Sequence, residues 1–265
     1  MFIEPSVRTA EVYAQRDTAD GSPARLPLYV SRPDDEGSVE RPVLILIQEA
    51  FGVNEHIRDV CRRYARQGYV VVSPDLYYRI GEWQTFSYSD FAGTAVARNE
   101  VTQERAIGDL AATIQYIEGM EGVDCRRLGV LGYCMGGRMT YIAASQFPER
   151  VKVAAVYYGG GLTQPQPPNF PTAPIEWTDR ISAPLIGFFG GKDKGIPREA
   201  VEQVDEALTA AGVDHQIFFY PEADHGFFCD ERPSFDARAA EDAWHRTLTL
   251  FADKLGPIPA VSWDE

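Results

Sequence analysis

From residue 43 onward the chain alternates short apolar runs with amphipathic segments at helical spacing, and this alternation narrows the fold more than any other feature. Strands and helices repeated in that order close as a mainly parallel sheet covered by helices, the α/β class. The candidate strands are Val43 to Gln48, Tyr69 to Ser73, Leu128 to Gly132, Lys152 to Tyr157, Pro184 to Phe189 and Gln216 to Tyr220. They are rich in Val, Ile and Phe, as strands buried on both faces are. Two earlier segments, Thr9 to Ala14 and Leu26 to Ser31, alternate more and predict an antiparallel hairpin, which brings the sheet to about eight strands.

The helices show their buried stripes in the sequence. Ile57, Val60, Cys61 and Tyr64 form one, with Asn54 placed to cap it and Gly68 to end it. Further stripes run through Ile107, Leu110, Ala111, Ile114 and Ile117, through Val201, Val204, Leu208 and Ala211, and through Ala240, Ala243, Trp244, Leu248 and Phe251. Such helices are expected on both faces of the sheet. Neither an internal repeat nor a low-complexity linker appears, so 1–265 reads as a single domain. The least regular stretches, Arg79 to Ala95 and Gly159 to Thr178, are candidate walls of a pocket.

Charge and cysteine usage exclude several roles. Asp and Glu number 39 against 25 Lys and Arg, and the net charge of −14 repels nucleic acid and anionic membrane surfaces. No apolar run approaches the roughly 20 residues that span a bilayer. The first residues, Met1 to Pro5, lack a basic segment followed by an apolar one, so the expected location is the cytoplasm. Cys61, Cys125, Cys134 and Cys229 form no C-x-x-C pair and have no histidine at ligand spacing, which argues against a disulfide framework or a metal site.

Only Cys134 sits in a reactive setting. The run Leu128-Gly129-Val130-Leu131-Gly132-Tyr133-Cys134-Met135-Gly136-Gly137 ends a strand and opens a helix, with Gly-x-Cys-x-Gly at the join. That pattern is a nucleophile elbow with sulfur for oxygen. Its turn presents the side chain at a helix amino terminus, where the dipole favours a thiolate and the Met135 N–H can serve an oxyanion. A thiolate needs a base and the base an orienter, and both follow at the ends of later strands. Pro184 to Phe189 runs into Gly190-Gly191-Lys192-Asp193, and the strand ending at Tyr220 runs into Asp224-His225-Gly226-Phe227. Asp224 adjoins His225, but consecutive side chains diverge, which favours Asp193 as orienter. His56, His215 and His245 lack a comparable setting.

A fourth group joins these three. The strand Val43 to Gln48 delivers Glu49 at its carboxyl end, the catalytic edge of such sheets. A carboxylate beside Cys134 would raise the thiol's pKa and could accept its proton. Ala50, on the following turn, offers a second N–H to the oxyanion.

These residues resemble the dienelactone hydrolase family, the cysteine branch of the α/β-hydrolases. The resemblance covers roughly residues 25 to 255 and is carried by Gln48-Glu49-Ala50-Phe51-Gly52, Ser73-Pro74-Asp75-Leu76-Tyr77, the Gly-Tyr-Cys-Met-Gly-Gly elbow, Gly190-Gly191-Lys192-Asp193 and His225-Gly226-Phe227. It implies an α/β-hydrolase fold and hydrolysis of an enol lactone to a maleylacetate-like product through a Cys134-His225-Asp193 triad, with Glu49 pairing with the resting Cys134. It also implies an arginine that grips the substrate carboxylate, a role Arg79 would fill, with Tyr78, Tyr133 and Phe51 as further substrate-binding candidates. A second carboxylate-binding arginine is expected four residues after His225, where this chain has Cys229; Arg232, three positions further on, is a candidate to compensate.

The expected partner is a small lactone or ester, with no cofactor or metal, in a monomer or small homo-oligomer. Two other readings stay open at this stage: a general esterase or thioesterase for small acyl groups, and a ligand-binding protein of the same fold.

Overall fold

Val43 to Ile47 carries no polar side chain, and a segment that can offer water no face is stable as a strand covered on both sides. In the computed structural model every residue of that strand is buried. The structure describes residues 6–34 and 39–260; the Met1 to Pro5 segment behind the expectation about export lies outside them. Eight strands form one sheet: β1 (Val7–Gln15), β2 (Arg25–Pro33), β3 (Arg41–Ile47), β4 (Val70–Pro74), β5 (Val123–Tyr133), β6 (Val151–Tyr157), β7 (Leu185–Gly190) and β8 (His215–Tyr220). Their hydrogen-bonded order is β1-β2-β4-β3-β5-β6-β7-β8. The expected hairpin is present, with Val7 opposite Pro33 and Gln15 opposite Arg25, and β2 continues antiparallel to β4. The pairs β3–β4, β6–β7 and β7–β8 are parallel.

Six α-helices are described: α1 (Glu55–Arg66), α2 (Phe91–Glu100), α3 (Gln103–Glu118), α4 (Met135–Gln146), α5 (Arg198–Ala210) and α6 (Ala237–Leu255), with a 3-10 turn at Pro174–Arg180. Asn54 caps α1 as its sequence suggests, its Oδ1 accepting the Ile57 N–H at 3.1 Å. Two elements differ from the sequence reading. Helix α2 occupies part of the stretch expected to be irregular, because only Thr94 and Ala97 are buried while Phe91 and Val96 face outward, so no apolar stripe announces it. Its start is set instead by Asp90, which accepts the Gly93 N–H at 2.9 Å. Strand β5 begins five residues earlier than Leu128, at Val123, through polar positions that hydropathy overlooks.

Backbone contacts gather into two compact units. One comprises the chain up to Leu46, Phe51–Gly129 and the chain from Leu255 on; the other comprises Ile47–Ala50 and Val130–Lys254. In the first, α1 packs on β2 and β4, and α3 on β1 and β4. In the second, α4 packs on β6, and α5 on β8 and the 3-10 turn. Cys134, Asp193, His225 and Glu49 all belong to the second unit. No described helix is long and apolar enough to cross a membrane.

Candidate active site

The elbow is built by exclusion of side-chain volume. A Cβ on Gly136 would collide with the Ile47 carbonyl, and one on Gly132 with the Gly136 carbonyl, so helix α4 reaches the strand ends only because both positions are glycine. Cys134 stands between them as N-cap of α4 with φ +56° and ψ −114°, a left-handed conformation that costs a non-glycine residue about 1–3 kcal/mol and marks a constrained site. Its N–H donates to the Tyr157 carbonyl at 3.0 Å, and its own carbonyl accepts from Gly137 at 3.0 Å. The sulfur-bearing side chain is partly exposed, whereas Cys61 and Cys229 are buried.

His225 and Asp193 converge on it. His225 Nδ1 lies 2.6 Å from Asp193 Oδ2, and the imidazole makes a side-chain hydrogen bond to Cys134. Asp193 is itself fixed, since its Oδ1 accepts the Gly195 N–H at 2.8 Å and its side chain is 3% exposed. Burial on its own would lower the His225 pKa, but the Cys134 charge and the hydrogen bonds to Asp193 and Cys134 outweigh it and push it up to about 10. These contacts favour the cationic imidazole, the partner a thiolate needs. Asp224 is left to accept the His225 backbone N–H at 2.7 Å, so it caps the turn and does not orient the ring.

Glu49 is completely buried, and the cation beside it is Arg232, whose Nη1 stands 3.5 Å from Oε1. The resting pairing of Glu49 with Cys134 that the family resemblance implies is thus not the arrangement observed: Cys134 pairs with His225 and Glu49 with Arg232. Met135 opens α4, and Ala50 directly follows Glu49, which puts both backbone amides in the unit that holds Cys134, His225 and Asp193.

Arg79 requires a correction. Its guanidinium donates to both oxygens of Asp109, at 2.8 and 2.7 Å, and its Nε to Ser22 Oγ at 2.8 Å. Asp109 also takes Arg16 Nε at 2.9 Å and the Tyr78 hydroxyl at 3.3 Å. Arg79 and Tyr78 are therefore committed to a buried ionic cluster, and the fork expected to meet a substrate carboxylate already holds a carboxylate of the protein. Tyr133 is fully buried, stacked on Phe228 with centroids 5.0 Å apart, and Phe51 is buried edge-on against Tyr88 at 4.8 Å.

Two groups were missed by sequence reasoning or were peripheral to it. Arg232 enters the sequence reading only as a compensating cation, and no motif marks Tyr158, which has φ +36° and is buried with its ring edge-on to His225, centroids 5.1 Å apart. The signal available was a Tyr-Tyr-Gly run ending a strand, which any core aromatic pair would produce. Gly159 to Gln166 do line a cleft, of about 240 Å³, together with Phe189, Ile196 and Val204, in keeping with the expectation for that loop. Among the described residues no group of three or more His, Cys, Asp or Glu side chains could hold a metal ion.

The mostly parallel eight-stranded sheet, with an elbow opening a helix at a strand end, defines an α/β-hydrolase. A family model described as the dienelactone hydrolase family matches residues 26–255. An inferred carboxymethylenebutenolidase of Synechocystis sp. is 40% identical over 229 residues, 86% of this chain and 91% of its own length. A second, from Yersinia pestis, is 36% identical over 258 residues, 96% of this chain and 94% of its own. A crystal structure of an inferred dienelactone hydrolase from Klebsiella pneumoniae superposes with a TM-score of 0.84 at 34% identity, covering 93% of this chain and 99% of that one. The chain belongs to the dienelactone hydrolase family. It is a hydrolase of ester or lactone bonds.

Proposed function

We propose that the protein, acting as one catalytic domain in the cytoplasm, opens a small enol lactone by acyl transfer to Cys134. The observation that carries this reading is the Cys134–His225–Asp193 line, a hydrogen-bonded nucleophile, base and orienter with a 2.6 Å bond between the last two. The Cys134 thiolate attacks the lactone carbonyl, and the N–H groups of Met135 and Ala50 receive the oxyanion. Collapse expels an enolate, which delocalises its charge and so departs in preference to the thiolate. The imidazolium of His225 supplies the proton for that leaving group.

Acylation also changes the base. Once sulfur is bonded to carbon its charge is gone, and with it the leading cause that holds the His225 pKa up. The imidazole is then free to take a proton from water, which hydrolyses the thioester, while Asp193 fixes the ring. Atoms balance without a cofactor: the lactone and one water give the ring-opened acid.

A second reading has its own observation. Arg79 is closed by Asp109, and Cys229 stands where a second arginine is expected, which favours small neutral acyl esters or thioesters as substrates of the same triad. Steady-state hydrolysis of cis and trans dienelactone beside p-nitrophenyl acetate, with wild type and Cys134→Ala, separates the two. Preferred turnover of dienelactone supports the lactonase and preferred turnover of the acetate the esterase. Loss of about 10³-fold or more in the variant is expected either way, and an active variant overturns both.

A further inference from the structure

The polar groups around the triad are not all paired. Both carboxylate oxygens of Glu49 are shielded from solvent, and neither has a hydrogen-bond partner among the described residues. The Tyr158 hydroxyl is in the same condition. A buried acceptor and a buried donor left unmade in one protein interior each carry a desolvation cost that native folds rarely tolerate without a functional reason. These two belong to the same compact unit, at the ends of strands β3 and β6.

The Tyr158 side chain is held where it is by several constraints. Its backbone has φ +36°, an unfavourable value for a residue with a Cβ, and its N–H donates to the Phe188 carbonyl at 2.7 Å. Its ring lies edge-on to His225 and to Phe227, at 5.1 and 5.2 Å. The titratable groups that act on its phenol are Glu49, Tyr133, Cys229 and Cys134. Burial, and after it the Glu49 charge, raises the phenol well above its ordinary pKa, so it keeps its proton and can only donate to an anion.

Glu49 is, by contrast, loosely held. Its contact with Arg232 is 3.5 Å long, beyond a good charge-assisted hydrogen bond. We propose that Tyr158 is a positioning residue that gives Glu49 a second station: the carboxylate moves between Arg232 and the Tyr158 hydroxyl, and at the latter the hydrogen bond attenuates the negative charge that Cys134 experiences. The phenol thereby sets how readily the thiolate forms, while its ring holds the imidazole plane that Asp193 orients. This inference rests on Cys134 being the nucleophile of the proposed function. It concerns a residue that neither the elbow motif nor the triad order points to.

The test is a double-mutant cycle of Tyr158→Phe and Glu49→Gln, read by the pH dependence of Cys134 alkylation with iodoacetamide and by kcat on the best lactone or ester substrate. Phe keeps the ring against His225 and removes only the hydroxyl. In Tyr158→Phe the acid limb of alkylation should move up by about one pH unit and kcat fall about tenfold. Glu49→Gln should move the limb down, because the like charge is gone, and adding Tyr158→Phe to it should change nothing further. An unshifted limb in Tyr158→Phe, or the same shift with and without Glu49, overturns the inference; so does a variant that is merely more stable with an unchanged profile. Alkylation requires no substrate, so an active Cys134→Ala enzyme would remove the functional reading on separate grounds.

Discussion

Two buried ionic clusters among the described residues differ in one respect. Around Asp109, in the first unit, the two carboxylate oxygens meet Arg79, Arg16 and Tyr78, and Arg16 also reaches Asp20 at 2.5 Å and the Asp17 carbonyl at 2.5 Å. Around Cys134, in the second unit, His225 and Asp193 are paired, but Glu49 and Tyr158 retain unmade hydrogen bonds. Burying charge is tolerable only with matched partners, so a cluster whose donors meet matched carboxylates serves the fold. Unmade bonds in the same unit as the strained Cys134 are what a fold keeps only for a functional reason.

The comparison can be broken experimentally. Its strongest consequence is that Asp109→Ala leaves Arg79 in the interior without a carboxylate and Arg16 with Asp20 alone, and costs about 3–5 kcal/mol of stability, measured by chemical denaturation, with the Cys134 alkylation profile unaltered below the transition. A stable variant, or one with an altered thiol, would erase the distinction between the clusters. Arg79→Met leaves Asp109 its bond to Arg16 and should cost about 1–3 kcal/mol. The KM for a carboxylate-bearing lactone should be unchanged in that variant, and a raised KM would restore Arg79 to substrate binding.

A finer effect concerns the triad alone. Observed by NMR, the His225 imidazole should titrate near 10 in the wild type and lower in Cys134→Ser, whose hydroxyl carries no charge. The folded value lies above the ordinary one of about 6.5, so the stabilisation linked to the His225 charge is complete below about pH 6.5. It is lost as pH climbs toward 10. The stability difference between wild type and His225→Gln should narrow over that window, and a difference that widens with pH would contradict the assigned ion pair.

Much of the candidate site's geometry is legible in the sequence because it depends on short local rules. The elbow needs glycine on either side of Cys134, and Gly132 and Gly136 sit where a Cβ would strike backbone. Asp193 and His225 are legible for a similar reason, since each comes shortly after the carboxyl end of a strand, β7 buried and β8 half-buried at the sheet edge, and strand ends share an edge in a parallel sheet. Helix α2 was not, because its exposed Phe91 and Val96 carry no period.

What one dimension leaves open is the choice of partner. Arg79 is a cation near the active-site edge by sequence, yet it belongs to Asp109, thirty positions along the chain. Glu49 follows a core strand in both views, but that Arg232 stands beside it and that Tyr158 turns its ring toward His225 depend on how distant loops pack. The sequence by itself determined the α/β class, the strained elbow and the order Cys134, Asp193, His225, because backbone sterics and strand burial act over a few residues. Tertiary structure alone decided which charges are closed and which stay available, since ion pairing is settled by proximity in space and by the cost of leaving a buried charge unmatched.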